Sequence, residues 1–321
     1  MAWISNRIPA AAFGSRDELF SNQRPVHSSF RLPPSSFSFI MVITQIRNAT
    51  VLLEFGGHDL LVDPMLSPPS VMPGFRLFRG QRRRNPLTEL PAGADELFAR
   101  ATEVILTHEH PDHLDRPAVK WIKSRGLTLW ASSVDAPNLQ RKGLNAEVLG
   151  DGQNSFASEV IPGTHGHGLI GWLMGPVAGF YLTHPDEPSL YITGDTVLTE
   201  TVKQAVGRLQ PDVVIAPAGT ANFGLGKDIL FSEAELVELV RLAPGQVVFN
   251  HLESIDHCPM TRTKLRDMMD AAGIGERVLI PNDGEQLTFE RDPHSVPVEP
   301  SASPNTKPGF QKWLTAKFAG T

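Results

Sequence analysis

The stretch Thr107–Asp115, "THEHPDHLD", sets three histidines and two aspartates in nine positions directly behind the apolar run "EVIL". Imidazole and carboxylate are the side chains that bind divalent metal ions or move protons near neutral pH. His108 and His110 stand two apart at the end of a predicted strand, so both project to one side of it. Pro111 ends that strand, and Asp112 and His113 fall on the turn toward the next helix. Two imidazoles from one direction and a carboxylate plus imidazole from the adjoining turn can converge on two nearby ions. The helical zinc-protease motif H-E-x-x-H does not fit, because position 112 is Asp and Pro111 would break the helix. A serine triad lacks its G-x-S-x-G elbow anywhere in the chain. A surface-loop origin suits an isolated histidine far better than His-x-His-x-Asp-His behind a buried strand.

Four neighbouring residues cannot complete two metal sites, so further ligands are expected at later strand ends. "VIPGTHGHG" supplies His165 and His167, "LYITGDT" supplies Asp195, and "VVFNHLESIDHC" supplies His251 and His257. All follow apolar strands, at the carboxyl ends where α/β architectures assemble their sites. His165 competes with His167, and His251 with His257. His27, His58, His184 and His294 have no such context and read as ordinary loop or surface residues.

The elements that must position these residues alternate. "VITQI", "TVLLEF" and "DLLVDP" read as three strands with a hairpin at Gly56-Gly57. Residues 64–93 lack a period and read as a long functional or mobile loop. After the cluster, "DRPAVKWIKSRG" fits a helix with Asp115 as N-cap and Gly126 just past its end. "LTLWAS" and "AEVLG" carry the alternation on, and "AGFYLTHPDEPSLYITGDT" is a hairpin. "TETVKQAVGRL", "SEAELVELVRLA" and "RTKLRDMMDAAG" read as helices, the second with a capping box at Ser232 and Glu235. "DVVIAPAG", "QVVFNH" and "RVLIPNDGEQLTF" supply the remaining strands. Strands first, then alternating helices and strands, imply an α/β sandwich of two mixed sheets with helices outside.

Composition bounds the function. The net charge of −6 argues against a nucleic-acid coat protein, and the single cysteine, Cys258, can form neither an internal disulfide nor a thiolate cage. No run approaches the roughly 20 apolar residues of a spanning helix, so a cytoplasmic protein is expected. Residues 1–40 are rich in Ser, Pro, Arg and Phe and read as a dispensable extension, with Met41 as an alternative start. A single folded domain is expected over 41–291. Residues 292–321 are a Pro/Ser-rich tail, expected to be a disordered linker with a short amphipathic end, "FQKWLTAKFAG".

From Met41 to Phe289 the chain resembles the metallo-β-lactamase fold superfamily, through "THEHPDH", "PGTH", "YITGDT" and "HLE" in that order. "NATVLLEFGGHDLLVDP" is similar to the opening of the branch holding L-ascorbate-6-phosphate lactonase and N-acylphosphatidylethanolamine phospholipase D type enzymes. The resemblance implies a four-layer αβ/βα sandwich with its site at one edge between the sheets. Carried over position by position, it implies that His108, His110 and His165 hold one ion, Asp112, His113 and His251 a second, and that Asp195 bridges both. His165 fits the family spacing better than His167. Asp63 in "VDP" would orient a ligand histidine. Asp112, Asp195 and His257 are the expected catalytic residues, His257 as a proton donor or as a structural hydrogen-bonding group.

Nitrogen and oxygen ligands suit two Zn²⁺ ions, with Mn²⁺ or Fe also compatible. A hydroxide shared by two ions would then attack a small ester, lactone or phosphodiester. "FRLFRGQRRR" concentrates five arginines ahead of the cluster. Arg76, Arg79 and Arg82 would clamp an anionic substrate if that loop covers the site. "NFGLGKD" lacks the strand-to-helix context of a phosphate loop. Two alternatives share the fold: an iron-dependent oxidoreductase, and a metal-binding protein with little turnover. A homo-oligomer is compatible with the sequence.

Overall fold

In the computed structural model, residues 40–78, 80–150, 154–223, 228–292 and 295–301 are described, all within one compact unit. Alternating apolar residues form β1 (Ile40–Arg47), β2 (Thr50–Phe55) and β3 (His58–Val62), an antiparallel meander. Phe55 pairs with His58 across Gly56 and Gly57, whose φ values of 59° and 80° suit a two-residue turn that glycine adopts without strain. After α1 (Ala94–Arg100) come β4 (Glu103–Ile105), α2 (Arg116–Arg125), β5 (Thr128–Ala131), α3 (Ala136–Arg141) and β6 (Asn145–Val148), whose strands continue this sheet in parallel.

The second sheet starts with β7 (Ala157–Thr164), α4 (Gly168–Met174), β8 (Pro176–His184) and β9 (Glu187–Ile192). It continues through α5 (Glu200–Leu209), β10 (Val213–Pro217), α6 (Glu233–Leu242), β11 (Gln246–Asn250), α7 (Arg262–Ala271) and β12 (Val278–Leu279). The chain then returns to the first sheet as β13 (Gln286–Glu290), antiparallel to β1. The orders are β13-β1-β2-β3-β4-β5-β6 and β12-β11-β10-β9-β8-β7.

Strand periodicity assigns each side chain to a layer. Val51, Leu53 and Phe55 of β2 meet Phe180, Leu190 and Ile215 between the sheets, while Leu52 faces the outer layer with Phe98 and Ile122. On the second sheet Val213 and Ile215 point inward and Val214 and Ala216 outward, against Val206, Leu239 and Leu265 of α5, α6 and α7. This is the four-layer αβ/βα sandwich.

The helix signals hold in detail. The Asp115 carboxylate accepts from Ala118 N at 2.8 Å, Gly126 takes φ 62°, and Ser232 and Glu235 form the reciprocal capping box. Helix α4, "GLIGWLM", carries no polar stripe and leaves Trp172 and Leu173 exposed, so no periodic pattern marks it in the sequence. The segment 278–290 divides between the two sheets.

The long segment 64–93 is braced rather than loose. Arg47, fully buried, donates to Met65 O (2.7 Å), Ser67 O (2.8 Å) and Thr88 O (2.9 Å). From the other side the Asp256 carboxylate accepts from Phe75 N, Arg83 N and Asn85 Nδ2. The start of the Pro/Ser-rich tail also departs from expectation. Val298 packs on the outer core of the second sheet, its carbonyl accepting from Tyr181 Oη (3.0 Å), and Ser301 N donates to Glu159 (2.9 Å). The 1–40 extension, apart from Ile40, and the end of the tail lie outside the described residues.

Candidate metal centre

Five strand ends deliver the predicted residues to one edge of the sandwich. Asp63 follows β3, the histidine cluster follows β4, His165 follows β7, Asp195 lies just beyond β9, and His251 follows β11. Strand β4 is shorter than the sequence implies and ends at Ile105, so His108 and His110 converge through the loop rather than through strand pleating. Their rings nevertheless sit at a centroid separation of 4.4 Å. Asp63 and His251 both hold left-handed φ values (45° and 58°), a strained choice for non-glycine residues that concentrates at functional sites.

Two groups of donor atoms result, each within 4.8 Å: His108, His110 and His165, and Asp112, His113, Asp195 and His251. Asp195 Oδ2 lies 3.2 Å from His113 Nε2, 3.3 Å from His165 Nε2 and 3.5 Å from His251 Nε2, so it faces both groups. Asp112 Oδ2 lies 3.2 Å from His251 Nε2. All of these side chains are buried except His110, which is half-buried. His167 is exposed at the start of α4, outside both groups.

Neighbouring groups fix ring orientations. Asp63 accepts from Thr107 N (2.8 Å) and from Thr107 Oγ1 (2.7 Å), and its Oδ2 lies 2.9 Å from His113 Nδ1. Thr107 Oγ1, having given its proton to Asp63, accepts from His108 Nδ1 at 3.0 Å. His110 Nε2 meets Met174 O and His165 Nδ1 meets Ile229 O, each at 2.9 Å. The opposite nitrogens are thereby left for a cation. His108 Nε2 and His110 Nδ1 then confront each other as lone pairs at 2.9 Å, and the buried His113 Nε2 has no hydrogen-bond partner. Orphaned donors backed by oriented partners fit divalent metal ions.

Electrostatics support the same fit. Burial opposes charge at His113, His251, Asp112 and Asp195, and neighbouring charged groups override it there. Burial would lower His113, but Asp195, Asp63 and Asp112 raise it to about 10. Burial likewise opposes protonation of His251, and Asp195 carries it well above its ordinary value. Asp112 and Asp195 are held well below the usual carboxylate range against burial, chiefly by His113. Burial and the surrounding imidazoles bring His110 down to about 4. Without metal, protons on His113 and His251 balance the carboxylates, occupying the electrostatic role of the cations.

A family model for the β-lactamase superfamily domain matches residues 58–252. The chain belongs to the metallo-β-lactamase superfamily. Within that superfamily of metal-dependent hydrolases, it is 31% identical over 256 residues to the UPF0173 protein YddR of Bacillus subtilis, covering 78% of this chain and all of the relative. Among solved structures, isothiocyanate hydrolase from Delia radicum gut bacteria aligns with TM-score 0.72 at 32% identity, over 78% of this chain and all of that one. A possible metal-dependent hydrolase from Veillonella parvula aligns with TM-score 0.73 at 27% identity, with the same coverage. No helix among the described residues is long and apolar enough to cross a membrane.

His257 is buried beside the centre, stacked on Phe223 (5.9 Å) and edge-on to Phe75 (5.5 Å), with Nδ1 unpartnered. Burial brings its pKa down to about 4. Of the three predicted arginines, Arg76 and Arg82 are described, and each donates to a backbone carbonyl. Arg76 Nε donates to Asp256 O (3.2 Å), the exposed Arg82 donates to Gly74 O (2.8 Å), and Arg79 lies outside the described residues. Sequence reasoning missed Asn48, whose Nδ2 donates to Asp112 O (3.1 Å) and whose carbonyl accepts from His251 N (3.0 Å). In "RNAT" it looks only like a turn residue. Thr107 is a second omission, and its place directly before the motif is the one signal that pointed to it.

Proposed function

We propose that this chain is a hydrolase with a two-ion centre that cleaves a small, largely uncharged electrophile of the isothiocyanate type. The observation that carries the metal reading is the convergence of two donor groups, with Asp195 facing both. His108, His110 and His165 would hold one ion, Asp112, His113 and His251 the other, and Asp195 would join them. Zinc suits this oxygen and nitrogen set, and manganese and iron share it. When bound, the ions lower the pKa of water toward neutrality and polarise the electrophile.

The side chains around the centre support a neutral substrate. Phe75, Ile170, Met174 and Phe223 pack in one cluster with Ile229 and Cys258, and this cluster adjoins the donors: the backbone carbonyls of Met174 and Ile229 meet His110 and His165, and Cys258 Sγ lies 3.5 Å from His251 Nδ1. The apolar surface would take the hydrocarbon part of the substrate while excluding bulk water. His257, neutral at pH 7, can take a proton at Nδ1 and return it to the departing nitrogen. For an isothiocyanate, water oxygen adds to the central carbon and one water proton passes to nitrogen, giving a thiocarbamate; the second water proton then passes to the same nitrogen as the C–N bond breaks, giving a primary amine and carbonyl sulfide. The likeness to isothiocyanate hydrolase favours this substrate over the anionic lactone or phosphodiester that the arginine loop suggests.

Loss of benzyl isothiocyanate, followed by absorbance beside a phosphodiester and a lactone probe, tests the proposal. Metal-dependent isothiocyanate loss, abolished in Asp195→Ala, is expected. Turnover of the phosphodiester or lactone with the isothiocyanate untouched would overturn the substrate assignment.

A further inference from the structure

Each imidazole of the two donor groups gives one ring nitrogen to a supporting neighbour. For four of them the neighbour is oxygen, from Thr107, Met174, Asp63 and Ile229. His251 differs. Its Nε2 faces Asp112 and Asp195, and its Nδ1 lies 3.5 Å from Sγ of Cys258, the only cysteine in the chain. We propose that Cys258 is a positioning residue of the metal centre, whose sulfur accepts the Nδ1 proton of His251 and fixes the tautomer and rotation that present Nε2 to an ion. This rests on the reading of His251 as a ligand.

The contact is built from several directions. His251 takes its left-handed φ of 58°, and its backbone N is tied to Asn48 O, so the ring's root is fixed. The loop that follows turns back so that Cys258, seven residues later, lies against the same ring. Gly219 packs directly behind: a side-chain carbon there would come within 2.7 Å of Cys258 Sγ and 2.6 Å of His251 O. Glycine at 219 is therefore what lets thiol and ligand strand approach. Sulfur is a long, weak acceptor beside the carboxylate that supports His113. The two histidines of the Asp112 group are thus held unequally, His113 firmly and His251 softly. Beyond the thiol lies a cavity of about 300 Å³ lined by Arg76, Arg83 and Thr261 among others, so side-chain changes at 258 have room to relax.

Zinc affinity of the purified full chain, measured by competition with a chromogenic chelator, tests this alongside thermal unfolding of the metal-free form. Cys258→Ala is expected to weaken one zinc site by about 10- to 100-fold, the usual effect of losing a ligand's supporting partner. Cys258→Ser, which keeps an acceptor, should recover most of that affinity, with metal-free unfolding unchanged in both. If Cys258→Ala itself unfolds early, Cys258→Val, which fills the space without an acceptor, takes its place. Affinity within about two-fold of the unaltered chain in the variant lacking an acceptor would overturn the positioning role, given the size of effect such partners exert. His251→Ala separates the two readings. Zinc binding untouched by that change defeats the ligand reading; zinc lost there but kept in Cys258→Ala defeats only the role of the thiol.

Discussion

Thr107 illustrates how a residue outside the motif can govern it. Its hydroxyl gives its proton to Asp63 and accepts from His108, so one oxygen links the supports of both donor groups. Thr107→Val should lower metal affinity by about 10- to 100-fold, measured by chelator competition, with the metal-free fold preserved. Proton linkage gives a second test. Because His113 is raised to about 10, it is protonated at pH 8 in the metal-free chain, and metal must displace that proton; His251 is shifted in the same direction. Apparent affinity should therefore rise with pH through the region of about 10 where His113 loses its proton. Calorimetric titrations at pH 8 in two buffers of different ionisation enthalpy should give different heats; identical heats would contradict the protonation assigned here. At this scale the sequence exposes the donors, since His-x-His-x-Asp-His leaves few other readings. It hides their supports, because Met174 and Ile229 act through backbone carbonyls that carry no residue-type signature.

Elements place these residues through local signals of uneven strength. Helix α2 was legible because Asp115 and Gly126 mark its two ends, and Asp115 does more than cap. Its second oxygen accepts from Ser67 N at 2.6 Å, tying the start of the helix to the long loop. Asp115→Ala should cost about 2 kcal/mol in urea unfolding, a cap plus a lost buried hydrogen bond. The loop's order was not legible, because it depends on Arg47, distant in sequence and looking like a surface residue at the end of a polar-tipped strand. Arg47→Leu strips donors from three carbonyls and should cost about 3 kcal/mol, with faster amide exchange across residues 65–88. Helix α4 was missed for the opposite reason: its apolar residues surround it, and periodicity fails when a short helix has no polar face.

In the whole molecule the donor set joins the two halves of the sandwich. His108, His110, Asp112 and His113 come from the first sheet's loops, while His165, Asp195 and His251 come from the second's. Metal held by this set would therefore resist separation of the sheets as well as serving chemistry. Chelation should lower the melting temperature and raise amide exchange at the strand ends of both sheets together, whereas a change confined to one sheet would count against a shared centre. The layer arrangement was legible from strand periodicity and element order. The crossing of the last strand was not, since "RVLIPNDGEQLTF" reads as continuous and only tertiary pairing shows that its halves serve different sheets. That crossing bears on biosynthesis. In the fold β1 lies between β2 and β13, so while the chain emerges from the ribosome the outer edge of β1 has no strand partner until Gln286–Glu290 is made. The first sheet thus awaits the end of translation of the domain, and nascent chains stalled before residue 286 present an unpaired apolar edge to chaperones and to one another.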